Sequence, residues 1–270
     1  MAAVLGLLAL PMVIPWLLAR PSATRDWAVD HVRPATADTT GHLLTVRNVR
    51  DFRYDSAGRA EPRYYDATYD LDSLESVWFI LTSFSTSSRI PAHTFVSFGF
   101  AGGRYLGVSV EARREQGESY GIVKGLLRRY ELIYVIGDER DLIGRRAAVE
   151  GDATYLYPVR ATPEGARALL LDLVTRANRL QAEPEWYNSL FNSCTSNLVD
   201  HVNAISPGRI PAGLKVLLPG YADEVAASLG LIDAGGDVQA MRRRFRVNER
   251  ARAALGTDGF SIRIRQPATP

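Results

Sequence analysis

The chain has 270 residues, of which 46% are hydrophobic and 23% charged, a balance that excludes wholesale disorder and a collagen-like fibre. Lys and Arg number 32 against 30 Asp and Glu, and a net charge of +2 is too small for a domain built mainly to grip nucleic acid. One cysteine, Cys194, leaves no internal disulfide, and four histidines without paired metal-ligand spacing predict no metal site.

Residues 1–19 (MAAVLGLLALPMVIPWLLA) carry no charge. Their length falls within the ~17–25 residues that cross a bilayer, Pro11 and Pro15 kink the segment, and Trp16 suits the interface. With neither a basic leading region nor a small-x-small cleavage site before Arg20, the segment predicts an uncleaved membrane anchor helix. Arg20, Arg25 and Arg33 on its C-terminal flank would, by the positive-inside rule, hold the rest of the chain in the cytoplasm. Residues 20–40 mix Pro, Thr and charge without a period and read as a linker, so one folded domain is expected over 41–270. His31 and His42, in or beside this arm, are expected in solvated polar roles.

Branched and aromatic runs predict strands at 43–49 (LLTVRNV), 77–81 (VWFIL), 93–100 (HTFVSFGF), 104–111 (RYLGVSVE), 130–137 (YELIYVIG) and 153–159 (ATYLYPV). Between 163 and 182 the apolar residues Ala166, Leu169, Leu170, Leu173, Val174, Ala177 and Leu180 recur at three and four. Thr162 can cap that helix and Pro163 suits its first turn. A second helix is expected from about Ser193, with Leu198, Val199, Val202 and Ile205 as its stripe, and a third near 222–229. The class is α+β with an antiparallel sheet.

The 93–111 segment can be set in register. If Ala101-Gly102-Gly103 is the turn, Phe100 faces Arg104, and Thr94, Val96 and Phe98 face Val110, Val108 and Leu106 on one apolar face. The other face then carries His93, Phe95 and Ser97 opposite Glu111, Ser109 and Gly107. Opposed β-carbons lie about 4.5–5.5 Å apart, so the Glu111 carboxylate could orient the His93 imidazole and raise its basicity.

The partner for such a base is Cys194 in SLFNSCTSNLVDHV. With Asn192 or Ser193 as the cap, its sulfur falls in the first helical turn, where the positive helix end and an imidazolium both lower a thiol pKa. His201 is seven residues further along, about 10.5 Å, beyond the reach of a nucleophile's base, and reads as structural. Gly117-Glu118-Ser119-Tyr120-Gly121 matches the serine-hydrolase elbow but comes after EARREQ, not a hydrophobic strand, and is discounted. MRRRFRV at 241–247 reads as a solvated basic face or a patch for anionic headgroups.

The sequence of VRDFRY (49–54), YYDATYDLDSL (64–74), AHTFVSF (92–98), SVEARRE (109–115), YVIGDERD (134–141) and NSCTSN (192–197) resembles the periplasmic domain of the Lnb-type lipoprotein N-acyltransferases over about residues 41–205. The resemblance implies a permuted papain-like core of the NlpC and lecithin-retinol acyltransferase type, with the histidine strand before the cysteine helix. It implies Cys194 as nucleophile, His93 as base and Glu111 as third member, with Asn192, Ser109, Phe95 and Tyr187 about the substrate. The activity it implies moves the acyl chain on the second glycerol carbon of a diacylglyceryl-cysteine to the lipoprotein's N-terminal amine through a Cys thioester. That needs no metal or soluble cofactor. The expected partners are a diacylated bacterial lipoprotein and membrane lipid, and the expected state is a monomer at the inner membrane facing the periplasm, a placement that conflicts with the basic flank and is preferred because lipoprotein substrates face outward. A papain-like peptidase or amidase acting on cell-wall peptides would use the same residues.

Overall fold

The computed structural model describes residues 19–55, 57–85, 87–233 and 237–266. Its strands are β1 (Thr36–Thr40), β2 (Leu43–Arg50), β3 (Arg53–Tyr54), β4 (Ala60–Glu61), β5 (Tyr64–Asp70), β6 (Leu74–Ser83), β7 (Ala92–Phe100), β8 (Arg104–Arg113), β9 (Glu131–Gly137) and β10 (Ala153–Pro158). The helices are α1 (Ile122–Leu126), α2 (Glu139–Gly144), α3 (Pro163–Ala182), α4 (Cys194–Ile205), α5 (Ala222–Ser228), α6 (Val238–Phe245), α7 (Asn248–Ala254) and α8 (Phe260–Arg263). This is a mixed α+β fold. Its main sheet runs β1-β2-β9-β8-β7-β6-β10, with β5 added to β2, and all its pairings are antiparallel except β2 with β9.

The β7–β8 hairpin keeps the expected register: Phe100 pairs with Arg104, Phe98 with Leu106, Val96 with Val108 and Phe95 with Ser109. Alternation sends the two sets of side chains into two cores. Val96, Phe98, Leu106, Val108 and Val110 meet Leu170, Leu173 and Val174 of α3 and Leu198 of α4. On the opposite face Phe95, Ile80, Ile133 and Val135 meet Ile143, Ala147, Val247, Ala251 and Phe260. A fully buried Leu such as Leu170 or Leu173 contributes about 1.5–3 kcal/mol by leaving water, so α3 is held chiefly by this stripe. Its start is as expected: the Thr162 hydroxyl accepts from the Gly165 N–H, and Pro163 opens the first turn.

Two stretches differ from their sequence reading, and a third cannot be compared with it. Residues 20–40, read as a linker, are folded onto the domain: β1 pairs with β2, Trp27 bridges to Glu115, and His31 is buried. The basic 241–247 run is not simply a solvated face, because Met241 and Val247 are core residues and Arg242 pairs with buried Asp223. The expected anchor falls, but for its last residue, outside the described residues. Among those described, no helix is long and apolar enough to cross a membrane.

Candidate active site

Cys194 is the first residue of α4. Ser193 caps the helix, its hydroxyl accepting from the Ser196 N–H while the Ser196 hydroxyl accepts from the Ser193 N–H, a reciprocal capping box. The cap is anchored from behind. Asn197 donates through Nδ2 to the Ser193 carbonyl at 2.9 Å and to Asn192 Oδ1 at 2.8 Å, and its Oδ1 accepts from the Tyr134 hydroxyl of β9 at 3.0 Å. Tyr134 in turn meets His201 at 2.6 Å, and His201 is closed off by Asp172 of α3 at 2.6 Å. His201 therefore holds the helix against the sheet, the structural place its spacing implied.

His93, near the start of β7, faces Ser109 of β8 with Nε2 2.8 Å from the hydroxyl oxygen. Ser109 donates to Oε1 of Glu111 at 2.9 Å, so its oxygen accepts from the imidazole. Glu111 thus acts on His93 through Ser109, one hydroxyl further away than the direct contact expected from the register. With Nε2 committed to this relay, Nδ1 is the nitrogen left for the thiol.

Glu111 has a second partner that the sequence reading left in solvent. His31 accepts the Arg114 N–H at Nδ1, 3.1 Å away, which fixes its proton on Nε2, and Nε2 lies 3.2 Å from Oε2 of Glu111. Asp30 beside it takes Arg114 and Arg145 as ion-pair partners, and Arg50 donates to its carbonyl. Arg50 is itself paired with buried Asp141, which also accepts from the Phe52 N–H and Tyr54 hydroxyl. Burial would raise the Glu111 carboxyl, but the His31 hydrogen bond and the charge of Arg50 hold it well below the usual range.

Cys194 is only 3% exposed. Burial alone would raise its thiol, yet the charge and hydrogen bond of His93, the Thr94 N–H and the Thr195 hydroxyl outweigh that and bring it down to about 7. Around neutrality a substantial share is thiolate, the nucleophilic form. Among the described residues no group of three His, Cys, Asp or Glu is arranged to hold a metal ion.

The other expected site residues are placed less simply. Ser109 is inside the relay. Phe95 is buried in the second core and stacks on His93 with ring centroids 5.6 Å apart, so it backs the imidazole and offers no surface to a substrate. The Asn192 amide donates to the Trp186 carbonyl at 2.9 Å and its Oδ1 accepts from Asn197, which commits it to shaping the loop. Tyr187 is buried next to the thiol; burial, followed by the charge of Cys194, pushes its hydroxyl pKa up. It meets Tyr120 at 3.4 Å and packs edge-on to Tyr130.

Apolar side chains are exposed on α1 and on the segment that leads to Cys194. Val123 of α1 is 67% exposed and Phe191, three residues before Cys194, 71%, with Ile122, Leu126 and Leu127 exposed as well. Ser189 ties the two segments together by donating to the Ile122 carbonyl at 2.8 Å.

Fold and site define a mixed α+β domain whose helix-start thiol faces an imidazole relay. A family model gives the more specific placement: residues 60–220 match the Lnb N-terminal periplasmic domain, and the chain belongs to that family. Searches among curated proteins and among solved structures each gave no significant match.

Proposed function

We propose that the protein is a cysteine-dependent lipoprotein N-acyltransferase, built on a permuted papain-like core and working at the periplasmic face of the inner membrane. The observation that carries this is the lowered thiol of Cys194, buried against His93 with Ser109 and Glu111 behind it, in a chain of the Lnb periplasmic-domain family.

The Cys194 thiolate attacks the carbonyl carbon of the ester on the second glycerol carbon. The leading N–H groups of α4 face the oxyanion that forms. As the intermediate collapses, the carbon–oxygen bond breaks and the glycerol oxygen takes a proton from the His93 imidazolium. The acyl group is then a thioester on Cys194. The lipoprotein's α-amine attacks that thioester, the carbon–sulfur bond breaks, and the amine's proton passes to His93, restoring the starting pair. Glu111, through Ser109, stabilises the imidazolium in both halves. The exposed apolar patch at Val123 and Phe191 supports a substrate whose acyl chains are embedded in a bilayer.

Because the reaction is internal to one substrate, a diacylated lipopeptide with a free N-terminus should give an N-acylated lyso product of unchanged mass. One with a blocked N-terminus should give at most slow release of fatty acid. Equal fatty-acid release from both, or cleavage of cell-wall stem peptides with lipopeptides left untouched, would replace acyl transfer with hydrolysis.

A further inference from the structure

An apolar cavity of about 110 Å³ lies between α4 and the β6–β7 face of the sheet, covered by the chain from Ile210 to Ile232. Its wall is almost entirely carbon. The polar exceptions are the hydroxyls of Thr94 and Thr195, which are 3.1 Å apart, and Thr195 Oγ1 also lies 3.7 Å from the Cys194 sulfur. One end of the cavity is therefore a single hydroxyl away from the nucleophile.

The shape is set by the register. On the sheet the wall includes Thr94 and Val96 of β7 and Phe79 and Val77 of β6; Leu81 pairs with Thr94, Phe79 with Val96 and Val77 with Phe98. From the level of Thr94 to the level of Val77 is four residues, about 13 Å of strand. On α4 the wall runs from Thr195 through Leu198 to Val202, seven residues or about 10.5 Å of helix. The void is thus longer than it is wide and leads away from the sulfur.

Interiors close over most such gaps, and an apolar cavity of this size stays dry and accepts apolar guests. We infer that it is the acyl pocket of the enzyme, holding the linear hydrocarbon chain of the Cys194 thioester with its carbonyl at the threonine end and its tail toward Val202 and Ala226. This rests on Cys194 acting in acyl transfer. A chain seated here shields the thioester from water until the amine arrives, which favours transfer over hydrolysis. It also makes chain length a property of the far wall, which α5 and the end of α4 supply.

The test fills that far wall. Val202→Trp and Ala226→Trp place an indole where the tail would lie, and each is first checked by thermal melting for an intact fold. Acylation of Cys194 by p-nitrophenyl dodecanoate and hexanoate is followed by nitrophenol release and by the mass of the acyl-protein. The expected result is a preference shifted toward hexanoate by about tenfold, read as the ratio of the dodecanoate and hexanoate rates. Binding of cis-parinaric acid, read by fluorescence in a Cys194→Ala background, should weaken by a similar factor. If both variants fold, keep the wild-type chain-length preference and bind parinaric acid as before, the pocket assignment is overturned even where Cys194 is acylated. If parinaric acid binding is lost in the Trp variants while no ester ever acylates Cys194, the pocket stands as a hydrocarbon site and the transfer reading fails.

Discussion

Nε2 of His31 lies 3.2 Å from Oε2 of Glu111, across 80 residues of sequence. The contact joins the arm that precedes β1 to the acid end of the imidazole relay, so His31 is a positioning residue that acts through Glu111. His31→Ala should lower kcat by about tenfold, as loss of an outer partner commonly does, and leave KM nearly unchanged. Removing its hydrogen bond lets the Glu111 carboxyl rise, so the acid limb of the pH–rate profile should move to higher pH. The same loss appears in stability. A carboxyl held below its unfolded value of about 4.3 stabilises the fold above that pH and loses the contribution as pH falls through the folded value. Acid unfolding of His31→Ala should therefore start at higher pH, and His31→Gln, which keeps a donor, should restore part of both effects. An unchanged pH profile would show that the contact is only structural.

The thiol offers a direct titration. At about 7 its thiolate fraction, and with it the rate of alkylation by iodoacetamide, should rise with pH through neutrality. His93→Ala removes the leading favourable influence and leaves burial opposed only by the Thr94 N–H and the Thr195 hydroxyl, so the midpoint should move to higher pH. Cys194→Ala should abolish turnover with the fold intact, because alanine suits the first turn of a capped helix. A midpoint that is the same in wild type and His93→Ala would separate the imidazole from the sulfur.

How much of this could be read in the sequence depends on range. The β7–β8 register, the cap and stripe of α3, and the helix start at Cys194 are set by residues close in sequence, where alternation, three-and-four spacing and capping side chains carry the signal. The Glu111 relay was half legible: the register brought His93 and Glu111 to one face, but whether a direct contact or a hydroxyl joins them depends on rotamers that no pattern records. His31 was invisible for a different reason. It sits in a stretch with no period, and its burial is produced by Glu111 and Arg114, partners 80 and 83 residues away. The cavity also draws its wall from β6, β7, α4 and the Ile210–Ile232 stretch, and only tertiary packing assembles them. Tyr187, which the resemblance put about the substrate, lies in the core, while Phe191, four residues on, is at the surface.

Asp223 tests the cover of that cavity. Its buried carboxylate accepts from Arg242 Nε at 2.7 Å, Arg242 Nη2 at 2.9 Å and the Tyr157 hydroxyl at 2.9 Å, and Arg242 also reaches the Gly220 carbonyl. Asp223→Ala leaves a guanidinium and a phenol without their shared acceptor and should cost about 3 kcal/mol. Thermal melting should drop by several degrees, and α5, which carries Ala222, Val225 and Ala226 into the cavity wall, should become more open to hydrogen exchange. Asp223→Asn, which keeps an acceptor, should lose less. If α5 stays as protected in Asp223→Ala as in wild type, the ion pair does not fasten the cover.

The last expectation concerns the exposed patch of α1 and Phe191. Val123, Leu127 and Phe191 expose large apolar surface on two segments that Ser189 binds together, and Lys124 lies exposed between Val123 and Leu126. An apolar tip with adjacent positive charge suits shallow burial in an anionic bilayer surface, where each side chain gains by leaving water and the cation meets lipid headgroups. The position of the tip matters because Phe191 lies three residues before Cys194: on the acyl-transfer proposal, a bilayer touching it would bring glycerol esters toward the thiol. Val123→Asp combined with Phe191→Asp should therefore reduce turnover of a lipopeptide presented in vesicles of phosphatidylglycerol and phosphatidylethanolamine by about tenfold or more, since two apolar contacts are lost and two like charges are brought to an anionic surface. Turnover of a short p-nitrophenyl ester in free solution should be unchanged, because neither side chain belongs to the relay. The quantity to measure is the ratio of the two rates. A double variant that slows both substrates alike would place the damage in the Cys194 loop itself, and one that slows neither would remove the patch from substrate delivery.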